Sequence, residues 1–202
     1  MQLTTRLLAP LLLAVLAAVP VAPTGPGPAQ EPGPADDPTE ALAVESVTVF
    51  ALRHAEKGDD DPRDPGLTEA GTARARDLAR LLAAADVTHL FSSDYRRTRD
   101  TLAPLAEATG LEVALYDPRT PARLLETLSD LPPGSRAVVS GHSNTTPALV
   151  RALGGELDDL EKLQGMDVLG HDQYDRLFVL TLGDREHATT TVELRYGAGP
   201  VD

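Results

Sequence analysis

From Val47 to Leu52 the chain is apolar at nearly every position, and then it turns abruptly to Arg53-His54-Ala55-Glu56-Lys57. A β-rich apolar run of that length, closed by charge and then by Gly58-Asp59-Asp60-Asp61-Pro62, predicts a buried strand running into a loop. After Asp64-Pro65-Gly66 the pattern changes period. Leu67-Thr68-Glu69-Ala70-Gly71 opens a helix with Thr68 as its cap, and Ala73, Leu78, Leu81 and Leu82 form its apolar stripe to a stop near Ala85-Asp86. Val87 to Phe91 predicts a second strand, followed by a polar burst, Ser92 to Thr101, and a helix stopped at Gly110. Leu111 to Leu115 predicts a third strand that ends at Tyr116-Asp117-Pro118, and Pro121 to Ser129 a helix.

Arg136 to Ser140 predicts a fourth strand running into Gly141-His142-Ser143-Asn144. Thr146-Pro147 then reads as cap and first residue of a helix to about Leu153. Gly154 to Gln173 is acidic and poorly periodic and reads as a long connection. Tyr174–Leu182 and Thr189–Tyr196, joined by a turn that begins at Gly183-Asp184, predict an antiparallel finishing pair. Strands alternating with helices give an α/β domain, a mostly parallel sheet flanked by helices.

The first 43 residues follow another pattern. Arg6 precedes a Leu/Ala-rich run to Val19, which is the layout of a secretory signal over residues 1–22. Pro10 interrupts the run, which is short for a membrane span; an uncleaved N-terminal anchor is the alternative. Residues 23–43 are rich in Pro and Gly, bury little apolar surface and read as a linker. The folded domain is then 44–202, and the expected location is outside the cytoplasm, periplasmic or extracellular.

Composition narrows the chemistry. The chain has no cysteine, so disulfides, thiolate catalysis and Cys-based zinc sites are excluded. A net charge of −13 argues against nucleic acid as a partner. A membrane partner is expected only if the N-terminal segment stays uncleaved. Aromatic residues make up 3%, so the core must be built from Leu, Val and Ala.

Three predicted strands end in reactive residues: Arg53-His54, Arg97 just inside the next helix, and Gly141-His142. In open α/β sheets ligands bind beyond the carboxyl ends of the strands. If these strands are neighbours, two histidines and two arginines converge on one crevice. Guanidinium forks bind the non-bridging oxygens of a phosphoryl group, and a helix N-terminus near Ser143–Pro147 adds donors. One neutral histidine can attack phosphorus while the second, protonated, stabilises the transferring group. The cations present suffice, so no metal and no other cofactor is expected.

Arg53-His54-Ala55-Glu56-Lys57, Leu67-Thr68-x-x-Gly71, Ser92 to Thr101 and Gly141-His142-Ser143-Asn144 resemble the histidine phosphatase superfamily, which includes cofactor-dependent phosphoglycerate mutase and the phosphohistidine phosphatases. The similarity covers roughly Val47 to Gly154. The resemblance implies a phosphoglycerate mutase-like fold, with His54 as the nucleophile that becomes phosphohistidine. Arg53 and Arg97 are implied as phosphate-binding arginines and His142 as the second pocket histidine. The family's Ser-x-Leu-x-Arg pattern, laid on Ser93 to Arg97, selects Arg97 over Arg96 and Arg99. Ala55 departs from the common Arg-His-Gly. Asp117 falls where the mutase-like branch carries its acid and is the candidate proton donor, with Glu126 and Glu56 behind it; equally, it can simply begin a turn. Asn144 can cap the helix or contact phosphate. His89, His171 and His187 read as packed or solvated residues. The implied activity is phosphomonoester hydrolysis on a phosphorylated small molecule or other phosphorylated substrate. The alternatives are a phosphoglycerate mutase-like phosphotransferase and a catalytically weak phosphate-binding module.

Overall fold

A computed structural model describes residues 46–183 and 187–199. The proposed signal, the linker and the turn after Gly183 lie outside the described residues. Six strands form one sheet: β1 (Thr48–Arg53), β2 (His89–Ser93), β3 (Val113–Tyr116), β4 (Arg136–Gly141), β7 (Arg176–Thr181) and β8 (Thr190–Arg195). Their spatial order is β3-β2-β4-β1-β7-β8. The first four are parallel, and β7 and β8 join as an antiparallel pair beside β1. Helices α1 (Glu69–Leu82), α2 (Arg96–Thr109) and α3 (Pro121–Ser129) connect the parallel strands, and α4 (Thr145–Ala152) leads out of β4 toward the antiparallel pair. None of the described helices is long and apolar enough to cross a membrane.

The continuous apolar run of β1 follows from burial on both faces. Val49 and Ala51 point into a core with Leu124, Leu128 and Val150 of α3 and α4. Phe50 and Leu52 point into a second core with Leu78, Leu82, Leu102 and Leu105 of α1 and α2. All four strand residues are at most 9% exposed. Each contributes on the order of 1.5–3 kcal/mol, less for Ala51, by leaving water.

The expected elements are present, with shifted edges. β2 and β3 begin and end one or two residues later than the hydrophobic pattern suggested, because their register is set by pairing. Thr68 caps α1, its Oγ1 accepting from Gly71 N at 3.0 Å. Gly110 closes α2 in the left-handed conformation. Helix α4, in contrast, starts two residues before the Thr146-Pro147 signal, with Asn144 in the cap position and no side-chain cap bond. The two threonine hydroxyls serve tertiary contacts instead: Thr145 Oγ1 accepts from His142 N, and Thr146 Oγ1 donates to Leu52 O. The stretch 154–173 is not a plain connection. It contains a small hairpin, β5 (Glu161–Leu163) and β6 (Met166–Val168), turned by Gln164-Gly165 with both φ angles positive.

Candidate active site

Strand pairing assembles the site. Parallel pairing of β1 with β4 places Arg53 opposite Gly141, and His54 N donates to Gly141 O at 2.9 Å. The residues that follow, His54 and His142, therefore leave the sheet side by side. Their ring centroids lie 5.5 Å apart at 69°. β2 pairs with the other side of β4, aligning Ser92 with Ser140. That brings Ser93 to His142, with Ser93 Oγ 2.9 Å from Nε2. Arg97 lies in the first turn of α2, directly after β2, with Nη2 3.5 Å from His142 Nδ1. Thus all three strand ends meet at one edge, and Arg53, His54, Arg97 and His142 share it.

Hydrogen bonds fix the ring orientations. His54 Nδ1 lies 2.8 Å from the Ala55 carbonyl, which can only accept. The proton is therefore on Nδ1, and the Nε2 lone pair is free to act as a nucleophile. Burial pushes the His54 imidazole down to about 3; the Ala55 carbonyl opposes this, and the Arg53, His142 and Arg97 charges add to it. At neutral pH the ring is uncharged. His142 is also driven down, to about 4, by burial and then by Arg97 and Arg53. The sequence pattern predicts a protonated His142; in the structure burial, with the cations around it, keeps it neutral. A dianionic phosphoryl group between the two arginines supplies the opposite charge and favours the imidazolium.

Both arginines are held without using all their donors. Arg53 Nη1 donates to Gly170 O (2.8 Å) and His171 O (3.2 Å), and its guanidinium lies 4.0 Å over the Tyr174 ring. Arg97 lies 4.4 Å over Tyr95, with Nη1 3.8 Å from Asp64. The Nε–H of each is buried with no hydrogen-bond partner among the described residues. A pair of such orphaned donors beside two neutral imidazoles fits an oxyanion.

The other motif residues frame this pocket. Thr68 N donates to Glu56 O at 2.9 Å, and a Cβ on Gly71 would stand 2.2 Å from that same carbonyl. The Leu67-Thr68-x-x-Gly71 pattern therefore seats α1 against the chain just after His54. Thr101 Oγ1 accepts from Ala55 N at 2.9 Å and ties the same loop to α2.

Two of the proposed acids are held as carboxylates and the third is exposed. Asp117 forms an exposed ion pair with Arg119, whose hydrogen bonds hold its carboxyl below the ordinary value. Burial pushes Glu56 up, but the hydrogen bonds and charge of Arg74 outweigh it and keep the carboxyl low. Glu126 is exposed on α3. A donor must hold a proton when the leaving group departs, and Asp117 and Glu56 are tied up as carboxylates. Arg96 and Arg99 sit in exposed ion pairs with Asp60 and Asp94, away from His142. Asn144 is exposed at the start of α4. His89 opens β2 and stacks on Phe91. His171 lends only its carbonyl to Arg53. The sequence pattern assigns no role to Ser93, Tyr95, Tyr174 or Asp64, although the first two lie inside the Ser93–Arg97 motif and the others in a predicted strand and turn.

Comparison with known proteins agrees with this geometry. Residues 49–118 match the family model for the histidine phosphatase superfamily, branch 1. The chain is 33% identical over 110 residues to the probable phosphoglycerate mutase GpmB of Cronobacter sakazakii, covering 47% of this chain and 51% of that protein. It is 37% identical over 79 residues to GpmB of Serratia proteamaculans, covering 36% of each. The chain thus spans half or less of the length of these curated relatives. Among solved structures it resembles a mycobacterial glucosyl-3-phosphoglycerate phosphatase, at 18% identity, TM-score 0.53, 75% of this chain and 99% of that one. It also resembles the protein histidine phosphatase SixA complexed with tungstate, at 18% identity, TM-score 0.54, 73% and 96%. At such identities these structures establish the fold. With the family model matched over residues 49–118 and with His54 and His142 set side by side by the strand register, this part of the chain is similar to the histidine phosphatase superfamily.

Proposed function

We propose that the protein is an exported, metal-independent phosphatase that forms phosphohistidine on His54 and hydrolyses it. The observation that carries this reading is the neutral His54 imidazole, its Nδ1–H spent on Ala55 O and its Nε2 free, beside Arg53 and Arg97 with unpartnered Nε–H groups. Nε2 attacks phosphorus, the P–N bond forms and the P–O bond to the leaving group breaks. Water then attacks the phosphohistidine, releases inorganic phosphate and restores His54. The arginines and a His142 that gains a proton as the phosphoryl charge arrives stabilise both transfers. Export rests on the secretory pattern of residues 1–22.

The test is hydrolysis of an aryl phosphate in EDTA by the wild-type chain beside His54→Ala. EDTA-resistant turnover that the substitution abolishes is expected. Turnover that survives His54→Ala, or that EDTA removes, refutes the mechanism. Phosphate binding with no turnover in either protein identifies a binding module. Similarity to GpmB favours phosphotransfer between phosphoglycerate hydroxyls as a second reading. Interconversion of the two phosphoglycerates at a rate above their hydrolysis would establish it.

A further inference from the structure

A well-formed apolar cavity lies not at the histidine pair but next to it. It is a groove of about 580 Å3 between α3 and α4, under the carboxyl edge of β3 and β4. Small-ligand pockets span roughly 300–1,000 Å3. Its floor is Val139, and its sides are Leu124 and Leu125 from α3 and Leu149 from α4. Ala148 and Ala152, one turn apart on α4, leave the space open.

Two features give the groove a ligand. First, it begins where the phosphate site ends. Gly141, Asn144 and Thr145 line it, and these residues bracket His142, whose N–H is fixed by Thr145 Oγ1 at 2.8 Å. Asn144, exposed at the start of α4, stands between the two, so a chain bonded to a phosphoryl group at His54 and His142 would enter the groove over it. Second, the groove offers no spare charge. Its one cationic side chain, Arg151, is paired with Asp167 at the far end. The buried hydroxyl of Tyr116 is spent on Ser140 O at 3.2 Å, and desolvation pushes it up to about 12. A carboxylate or second phosphate placed here meets apolar walls and pays for desolvation without a partner. A hydrocarbon gains on entry.

We infer that the α3–α4 groove is the leaving-group subsite, and that it takes the hydrocarbon part of an amphiphilic phosphomonoester, the phosphate ester of a long-chain alcohol. This assignment rests on the phosphatase reading for its chemistry, but not for its binding.

The experiment is titration calorimetry of the full chain with ethyl, butyl, hexyl and octyl phosphonates, which bind without turning over. Affinity is expected to rise by about fourfold for each added methylene until the groove is filled. Ala148→Trp, which fills the groove from outside the catalytic set, is expected to flatten that series and leave inorganic phosphate affinity unchanged. Ala152→Leu, a milder filling, is expected to truncate the series at a shorter chain and guards against misfolding of the tryptophan variant. Octyltrimethylammonium, with the same tail and no anion, is expected to bind at least about tenfold more weakly than octyl phosphonate. Equal affinity for ethyl and octyl phosphonate overturns the inference, as does an undiminished series in both variants. A graded series in a protein that hydrolyses no phosphomonoester keeps the subsite and removes the phosphatase reading.

Discussion

Three buried arginines and the largely covered Arg97 divide into two pairs that differ in how their donors are spent. Arg74 spends its guanidinium on Glu56, Tyr196 O and Ala198 O. Arg176 does the same with Glu193, Asp158 O, Asp159 O and Gln173. Arg53 and Arg97 also lie over aromatic rings, at 4.0 and 4.4 Å against 5.7 Å for Arg74 and 5.0 Å for Arg176, yet each keeps a buried Nε–H free. Stacking positions a guanidinium without consuming its in-plane donors. Burial alone therefore does not mark a binding arginine; unspent donors do.

The comparison breaks first at activity. Arg53→Ala and Arg97→Ala are each expected to lower kcat/KM for an aryl phosphate by about a thousandfold, since each removes oxyanion donors. Their unfolding midpoints in urea should not fall, because two like charges no longer face one another. A large loss of stability in either would place it with the structural pair.

Arg74→Ala should behave in the opposite way. It leaves Glu56 partly buried without its cation, and a loss of about 3 kcal/mol in unfolding free energy is expected, with kcat nearly kept in the folded fraction. Unchanged stability on denaturant titration would refute the assignment. Gly71→Ala tests the same seam from α1. The added methyl meets the Glu56 carbonyl, so about 2 kcal/mol should be lost, together with some activity as the loop after His54 shifts.

The histidines sharpen the comparison through pH. His54 has a folded value of about 3, below its ordinary 6.5, so the unfolded chain takes up a proton first. Stability from this group is complete above about pH 6.5 and is lost as pH falls toward about 3. Roughly 1–2 kcal/mol should go between about pH 7 and pH 5, measured by urea titration, and His54→Ala should remove that part of the slope. The smallest effect is expected at the exposed pair. Asp117→Asn should change kcat by less than about twofold, whereas an acid that protonates the leaving group would cost a hundredfold or more.

Much of this site is legible in the chain because its parts are local. Arg53-His54 and Gly141-His142 each stand at the end of an apolar run, and the Thr68 cap and Gly71 are read from spacing alone. What escapes is set by partners distant in sequence. Tyr174 matters because it lies over Arg53, more than a hundred residues away, and nothing near Tyr174 announces it. Thr145 and Thr146 look like capping residues, yet tertiary bonds claim their hydroxyls and the helix starts earlier. The β5–β6 hairpin has strands of three residues, too short for a period to emerge. Asp117 keeps its place after β3, but β3 is the edge strand, three positions from β1. Position along the chain cannot tell an edge from a centre.

The bonds from Arg74 to Tyr196 O and Ala198 O carry a consequence for how the molecule comes into being. The loop behind His54 is locked by contacts that span most of the domain. Such long-range closures form late in folding and slow it. During synthesis the strand that carries Arg53 emerges far ahead of the residues that brace it, so a nascent chain holds its histidine and arginines unarmed. Catalysis becomes a reporter of the finished fold, and its recovery on refolding should coincide with the last phase seen by circular dichroism.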